Sequence, residues 1–207
     1  IIDRRTGALK KTLVCDPFFA FHHVNAFERE ELLIMDIVCY PDVDVINGFY
    51  LDRIFEEKAV LPVGEFRRYT INFAKSEISY EIMGKDGLEL PRYDESSLSM
   101  EGDYRYVYGV GVNVNKPQSF YNQLVKLDID SGASSTWYQE GCYPGEGVFI
   151  GKPGRTAEDD GVLVSVVLDE EKGNSFLLVL DASDFKELAR AEVPHPILFG
   201  YHGCYLD

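Results

Sequence analysis

Gly161-Val162-Leu163-Val164-Ser165-Val166-Val167-Leu168, the turn Lys172-Gly173-Asn174, and Phe176-Leu177-Leu178-Val179-Leu180-Asp181 form the passage that decides the fold. Both flanks are short, rich in β-branched residues and bounded by turn formers, so they read as two strands of a hairpin. Working outward, the same texture recurs over nearly the whole chain. Further strands are expected at Phe18–Phe21, Leu32–Cys39, Phe49–Ile54, Phe66–Phe73, Tyr104–Val112, Gln123–Asp128, Ser135–Tyr138, Gly147–Gly151 and Leu188–Val193. Helical periodicity is nearly absent, and only Ser183–Glu187 reads as about one helical turn. The chain is therefore all-β.

A weak repeat points to the architecture. Ile2-Asp3-Arg4-Arg5-Thr6-Gly7, Leu127-Asp128-Ile129-Asp130-Ser131-Gly132 and Leu180-Asp181-Ala182-Ser183 each place an apolar-Asp step before a turn. The last two lie about one four-stranded propeller blade apart, at ~45–50 residues per blade. By that spacing the 207 residues make about three to four blades.

Composition removes several functional classes. There are 20 Lys and Arg against 35 Asp and Glu, a formal charge of −15 and a sequence pI near 4.6. Such a surface cannot replace the counterions of nucleic acid, and electrostatic adsorption to anionic lipid is disfavoured. The longest apolar run, Val162–Leu168, is far shorter than a membrane-spanning helix. Cys15, Cys39, Cys142 and Cys204 form no Cys-x-x-Cys pair, which sets aside zinc ribbons and thioredoxin-like chemistry. No Asn-x-Ser/Thr sequon occurs, which favours a cytoplasmic location. Gly109-Val110-Gly111 lacks the rest of a dinucleotide fingerprint, and Glu158-Asp159-Asp160-Gly161 reads as a solvated turn. The aromatic run Tyr104–Gly109 could line an apolar cavity or fill a core equally well.

The candidates for chemistry are few. Phe21-His22-His23-Val24-Asn25-Ala26-Phe27-Glu28 carries two imidazoles on opposite faces of a strand, so one of them at most points at a given site. His202 sits between glycines in Gly200-Tyr201-His202-Gly203. Glu89 and Glu146 stand in apolar settings, where a carboxylate must be paired, protonated or turned to water. A metal-bound imidazole whose second nitrogen needs an acceptor would supply such a partner.

These segments, with Arg67-Arg68-Tyr69, Leu88-Glu89-Leu90-Pro91, Tyr143-Pro144-Gly145-Glu146, Glu158–Leu163 and Leu188–Pro194, come in the order found in the carotenoid cleavage oxygenase family. That family includes the retinoid isomerohydrolase of the retinal pigment epithelium, and the resemblance runs along nearly the whole chain. It implies a seven-bladed β-propeller holding Fe(II) on its axis through four histidines, oriented by three glutamates. Carried over, His22 and His202 match two metal ligands, and Glu89 and Glu146 two of the glutamates; His195 has no counterpart. The other two histidines and the third glutamate have no match here, so the resemblance implies that residues 1–207 are the C-terminal ~40% of a longer enzyme and inactive alone. The implied reaction is oxidative cleavage of a carbon–carbon double bond of a carotenoid or apocarotenoid by dioxygen, giving aldehyde or ketone products. Retinoid isomerohydrolysis on the same scaffold, or an inert propeller module, are the alternatives. Peripheral contact with a membrane is expected only through regions outside this stretch.

Overall fold

A computed structural model describes residues 1–56, 58–97 and 102–206. The strands assemble into three antiparallel sheets in sequence order. The first holds β1 (His23–Arg29), β2 (Leu32–Cys39), β3 (Glu65–Asn72) and β4 (Glu77–Ile82). The second holds β5 (Glu89–Arg92), β6 (Tyr106–Gly111), β7 (Gln123–Asp128) and β8 (Ser134–Tyr138). The third holds β10 (Val148–Gly151), β11 (Gly161–Asp169), β12 (Asn174–Asp181) and β13 (Glu187–Val193). The short β9 (Cys142–Pro144) joins it on β11. Each sheet is a four-stranded meander, the unit of a propeller blade.

The apolar-Asp repeat is one turn used four times. Asp3, Asp128, Asp169 and Asp181 each accept the amide four residues on at their own carbonyl, at 2.8–2.9 Å. Their Oδ1 atoms also take amides two or three residues on, such as Thr6, Asp130, Lys172 and Ser183. The residue donating from position four is left-handed every time: Gly7, Gly132, Gly173 and Phe185 at φ +61 to +71°. This Asx geometry replaces the one-turn helix expected at Ser183–Glu187, because Phe185 in the left-handed region ends any helical path. A Cβ at Gly173 would meet nothing within 4 Å, so the cost of Gly173→Ala there is backbone strain alone. We expect it to lower stability by about 1–2 kcal/mol, read from the denaturant midpoint, with Gly173→Asn costing less.

Two more segments depart from the sequence reading. Phe49–Ile54 is helical in part: α1 (Asp44–Gly48) and α2 (Leu51–Ile54) occupy the β2–β3 connection. Their aromatic content suits a strand, but both edges of β2, the strand they follow, are taken by β1 and β3, so they cannot pair with it. Phe18–Phe21 makes a single bridge, Phe19 to Tyr40, and the strand begins instead at His23.

One core cluster runs through all three sheets, including Phe27 and Val38, Val107 and Leu124, and Leu163 and Phe176. Buried charges bind neighbouring sheets. Asp36, fully buried, accepts Arg68 Nε and Nη2 at 2.9 and 2.8 Å and the Tyr104 hydroxyl at 2.5 Å. Lys126 of β7 reaches the third sheet, donating to Asp159 and to the carbonyls of Ala182 and Ser183. Glu158 accepts the amides of Arg105 and Tyr106. The acidic Glu158-Asp159 pair is thus a clamp between sheets and not a solvated turn. Tyr104, Val107 and Tyr108 lie in the core, where Tyr108 stacks on Phe149, so that run fills core.

Candidate metal centre

Each sheet is irregular in its first strand, at the level of a candidate residue. His22 immediately precedes β1, whose pairing with β2 slips between His23 and Asn25. Glu89 opens β5, whose pairing with β6 slips between Glu89 and Arg92. Leu90, between them, is buried yet held at φ +48°, an uncommon conformation for a bulky residue. Glu146 lies in Gly145-Glu146-Gly147, the gap between β9 and β10, both of which pair with β11. A Cβ at Gly147 would meet the Leu163 side chain at 2.9 Å. Such irregularities break the in–out alternation and re-aim a side chain, so three local defects direct three side chains to one place.

The fourth residue arrives from outside the sheets. After β13 the chain runs back over the third sheet, where the Ile197 amide donates to Ser175 Oγ at 2.8 Å. Phe199 stacks on Phe120 with ring centres 4.0 Å apart, and His202 follows three residues later.

The four residues form two mirrored pairs. His22 Nδ1 lies 2.6 Å from Glu89 Oε2, and His202 Nδ1 lies 3.0 Å from Glu146 Oε1. Both carboxylates are buried, and Glu146 also takes the Gly203 amide at 2.8 Å on Oε2. The free ring nitrogens then face each other, His22 Nε2 to His202 Nε2, at 3.3 Å. The rings stand nearly perpendicular, at 81°. With each Nδ1 proton held by a carboxylate, a neutral ring presents a lone pair at Nε2. Two lone pairs facing at this distance repel unless a cation lies between them.

That is the fit expected of a metal site. Nitrogens bound side by side at about 2.1 Å to one metal stand roughly 3 Å apart, and carboxylates on Nδ1 are the usual support. The Glu89 hydrogen bond raises the His22 pKa, against the effect of burial, and the charges of Glu89 and Glu146 raise it further. Metal and proton therefore compete for the His22 ring. Among the described residues no group of three or more His, Cys, Asp or Glu side chains that could hold a metal converges; the two facing imidazoles stand as a pair. His23 is exposed on the other side of the strand start, and His195 is exposed in the bend after β13; neither joins the pair.

Beside the imidazoles lies an apolar cavity of about 250 Å³, lined by Phe21, Phe49, Leu90, Phe120, Tyr121 and Phe199 among others. Its aromatic wall comes from four separate segments, none of them the Tyr104–Gly109 run that the sequence offered. Arg92, 3.9 Å from Glu146, also carried no sequence signal.

This arrangement finds its relatives readily. Residues 1–207 match the model of the RPE65 family, described as retinal pigment epithelial membrane protein. The chain belongs to the RPE65 family. Over its whole length it is 32% identical to the carotenoid cleavage dioxygenase 8 homolog A, chloroplastic, of Oryza sativa subsp. japonica. It is likewise 32% identical to the beta,beta-carotene 15,15'-dioxygenase of Mus musculus. Among solved structures, cobalt-substituted Synechocystis apocarotenoid oxygenase superposes on 96% of the chain, with a TM-score of 0.81 and 27% identity. The chain spans 39% and 41% of the two relatives and 41% of that structure. The three sheets are thus blades of an RPE65-family propeller. Among the described residues no helix is long and apolar enough to cross a membrane. Family members carry chloroplastic and mitochondrial names, so a cytoplasmic location does not follow from membership.

Proposed function

We propose that this chain contributes His22 and His202 as ligands, and Glu89 and Glu146 as their supports, to a non-haem Fe(II) centre. The reaction proposed is oxidative cleavage of a carbon–carbon double bond in a carotenoid or apocarotenoid, giving aldehyde or ketone products. The observation that carries this reading is the facing pair of Nε2 atoms at 3.3 Å, each imidazole tied to a buried carboxylate beside an aromatic cavity. The names of the relatives, which include a carotene dioxygenase and a cobalt-substituted apocarotenoid oxygenase, support it.

The roles of the chain's own groups follow from their positions. Glu89 and Glu146 hold the Nδ1 protons and so fix which nitrogen of each ring is offered to metal. Being carboxylates held off the metal itself, they balance part of its charge while leaving its coordination positions open. Phe21, Phe49, Phe120 and Tyr121 give the cavity flat apolar faces suited to a conjugated chain, and they exclude water from it. Iron, when bound, supplies the redox activation of dioxygen. Two imidazoles leave most of a coordination sphere unfilled, so further donors come from outside these residues, and the 207 residues alone are inert in this reading.

Incubating the full-length protein with an apocarotenoid under isotopically labelled dioxygen tests the reaction. Aldehyde carrying the label is expected. Geometrically isomerised alcohol formed from a retinyl ester without oxygen uptake would instead establish isomerohydrolysis, and would overturn the dioxygenase reading.

A further inference from the structure

The Glu89 carboxylate is engaged on one side only. Oε2 accepts from His22 Nδ1 at 2.6 Å and from the Leu90 amide at 2.7 Å. Oε1 is buried and meets no hydrogen-bond partner among the described residues. Glu146 differs, since its two oxygens hold His202 and the Gly203 amide. A carboxylate oxygen removed from water and left unmatched is unfavourable, so its surroundings should contain a donor.

They do. The Tyr40 hydroxyl is also buried and without a hydrogen-bond partner among the described residues, and Glu89 and Tyr121 are among the groups that act on it. Tyr121, itself buried, has Glu89 and Tyr40 among its own neighbours and lines the cavity next to His22. The Tyr40 ring packs against Phe19 and Phe21, work that a phenylalanine would do equally well. The hydroxyl is what a phenylalanine would lack, and nothing in the packing requires it. Burial also pushes the Tyr40 phenol far above its ordinary value, which keeps the hydroxyl protonated and able to donate.

We propose that Tyr40 is a positioning residue for the metal centre: its hydroxyl reaches Glu89 Oε1 through one buried water, and Tyr121 completes the chain of hydroxyls beside it. The inference rests on the reading of His22 and Glu89 as a metal-ligand pair. Tyr40 closes the free side of the carboxylate, so that Glu89 is held at both oxygens as Glu146 is. The His22 ring then has a single orientation in which Nε2 meets Nε2 of His202. Removing the hydroxyl frees the carboxylate to turn about its terminal bond, and the imidazole follows it.

The test uses the full-length protein and Co(II) alone as the probe, with affinity read by competition against a chelator and the ligand field read from the visible absorption bands. Tyr40→Phe is expected to weaken Co(II) binding by about 10- to 100-fold and to shift those bands. Combined with Glu89→Gln it should add nothing to the loss that Glu89→Gln causes alone. Wild-type affinity and spectrum in Tyr40→Phe, or an additive loss in the double variant, would overturn the inference. Should Tyr40→Phe fail to fold, Tyr121→Phe tests the same chain of donors; a weaker loss in the same direction is expected, and an unchanged spectrum overturns it. A wild-type protein that takes up no Co(II) would instead overturn the reading of the centre itself.

Discussion

Full-length protein carrying His202→Ala is expected to emerge from purification without iron and without cleavage activity. The imidazole offers one of the two facing nitrogens, and its loss leaves His22 alone of the proposed pair. Changes at groups that merely support a ligand cost 10- to 100-fold in metal affinity, so loss of the ligand itself should exceed about 100-fold. The fold should survive, because the His202 side chain is 56% exposed. Elemental analysis of the purified protein alongside the cleavage assay reads both effects. His195→Ala, at an exposed bend away from the pair, should keep full iron content. Iron retained at one equivalent by the His202→Ala protein would sink the assignment of this residue.

The largest loss of stability is expected at Asp36, whose role is to hold sheets together and not to face the candidate centre's imidazoles. Its carboxylate is fully buried and takes two bonds from Arg68 and one from the Tyr104 hydroxyl. Asp36→Ala leaves the largely buried guanidinium without its counter-charge, and removing one partner of a buried pair costs about 3–5 kcal/mol. That is a large share of the 5–15 kcal/mol by which domains are ordinarily stable. Denaturant unfolding should show it as a lowered midpoint at unchanged slope. Asp36→Asn, which keeps an acceptor for Tyr104, should lose less. Glu192→Ala, which breaks the exposed pair with Lys172, should fall within about 1 kcal/mol of wild type.

The legible parts of the fold were the local ones. β11 and β12 announce themselves because their own residues meet the core, and the Asp turns because one side chain binds amides two and three residues on. The helices at 44–54 were not legible, since what forbids a strand there is the occupancy of both edges of β2, a fact about partners distant in sequence. The candidate site divides in the same way. Glu89 and Glu146 stood out as carboxylates in apolar settings, and their place in a metal site came from resemblance to a family. Which imidazole each holds, over 67 and 56 residues, only the fold shows. The bulges that aim these side chains are properties of strand pairs and leave no mark within one strand. Tyr40 and the aromatic wall are invisible for that reason too: each reads alone as ordinary core.

His22 and His202 lie 180 residues apart, and His202 rides on a segment that belongs to no sheet. Their meeting must wait until three sheets have formed and that segment has settled across the third. Contacts of such sequence separation come late, because the chain between them must be ordered first. If the pair binds metal as proposed, capture of the ion would be a certificate of finished folding: a chain that has misassembled a sheet, or has not yet laid the segment after β13 across it, would present one imidazole and let the ion go.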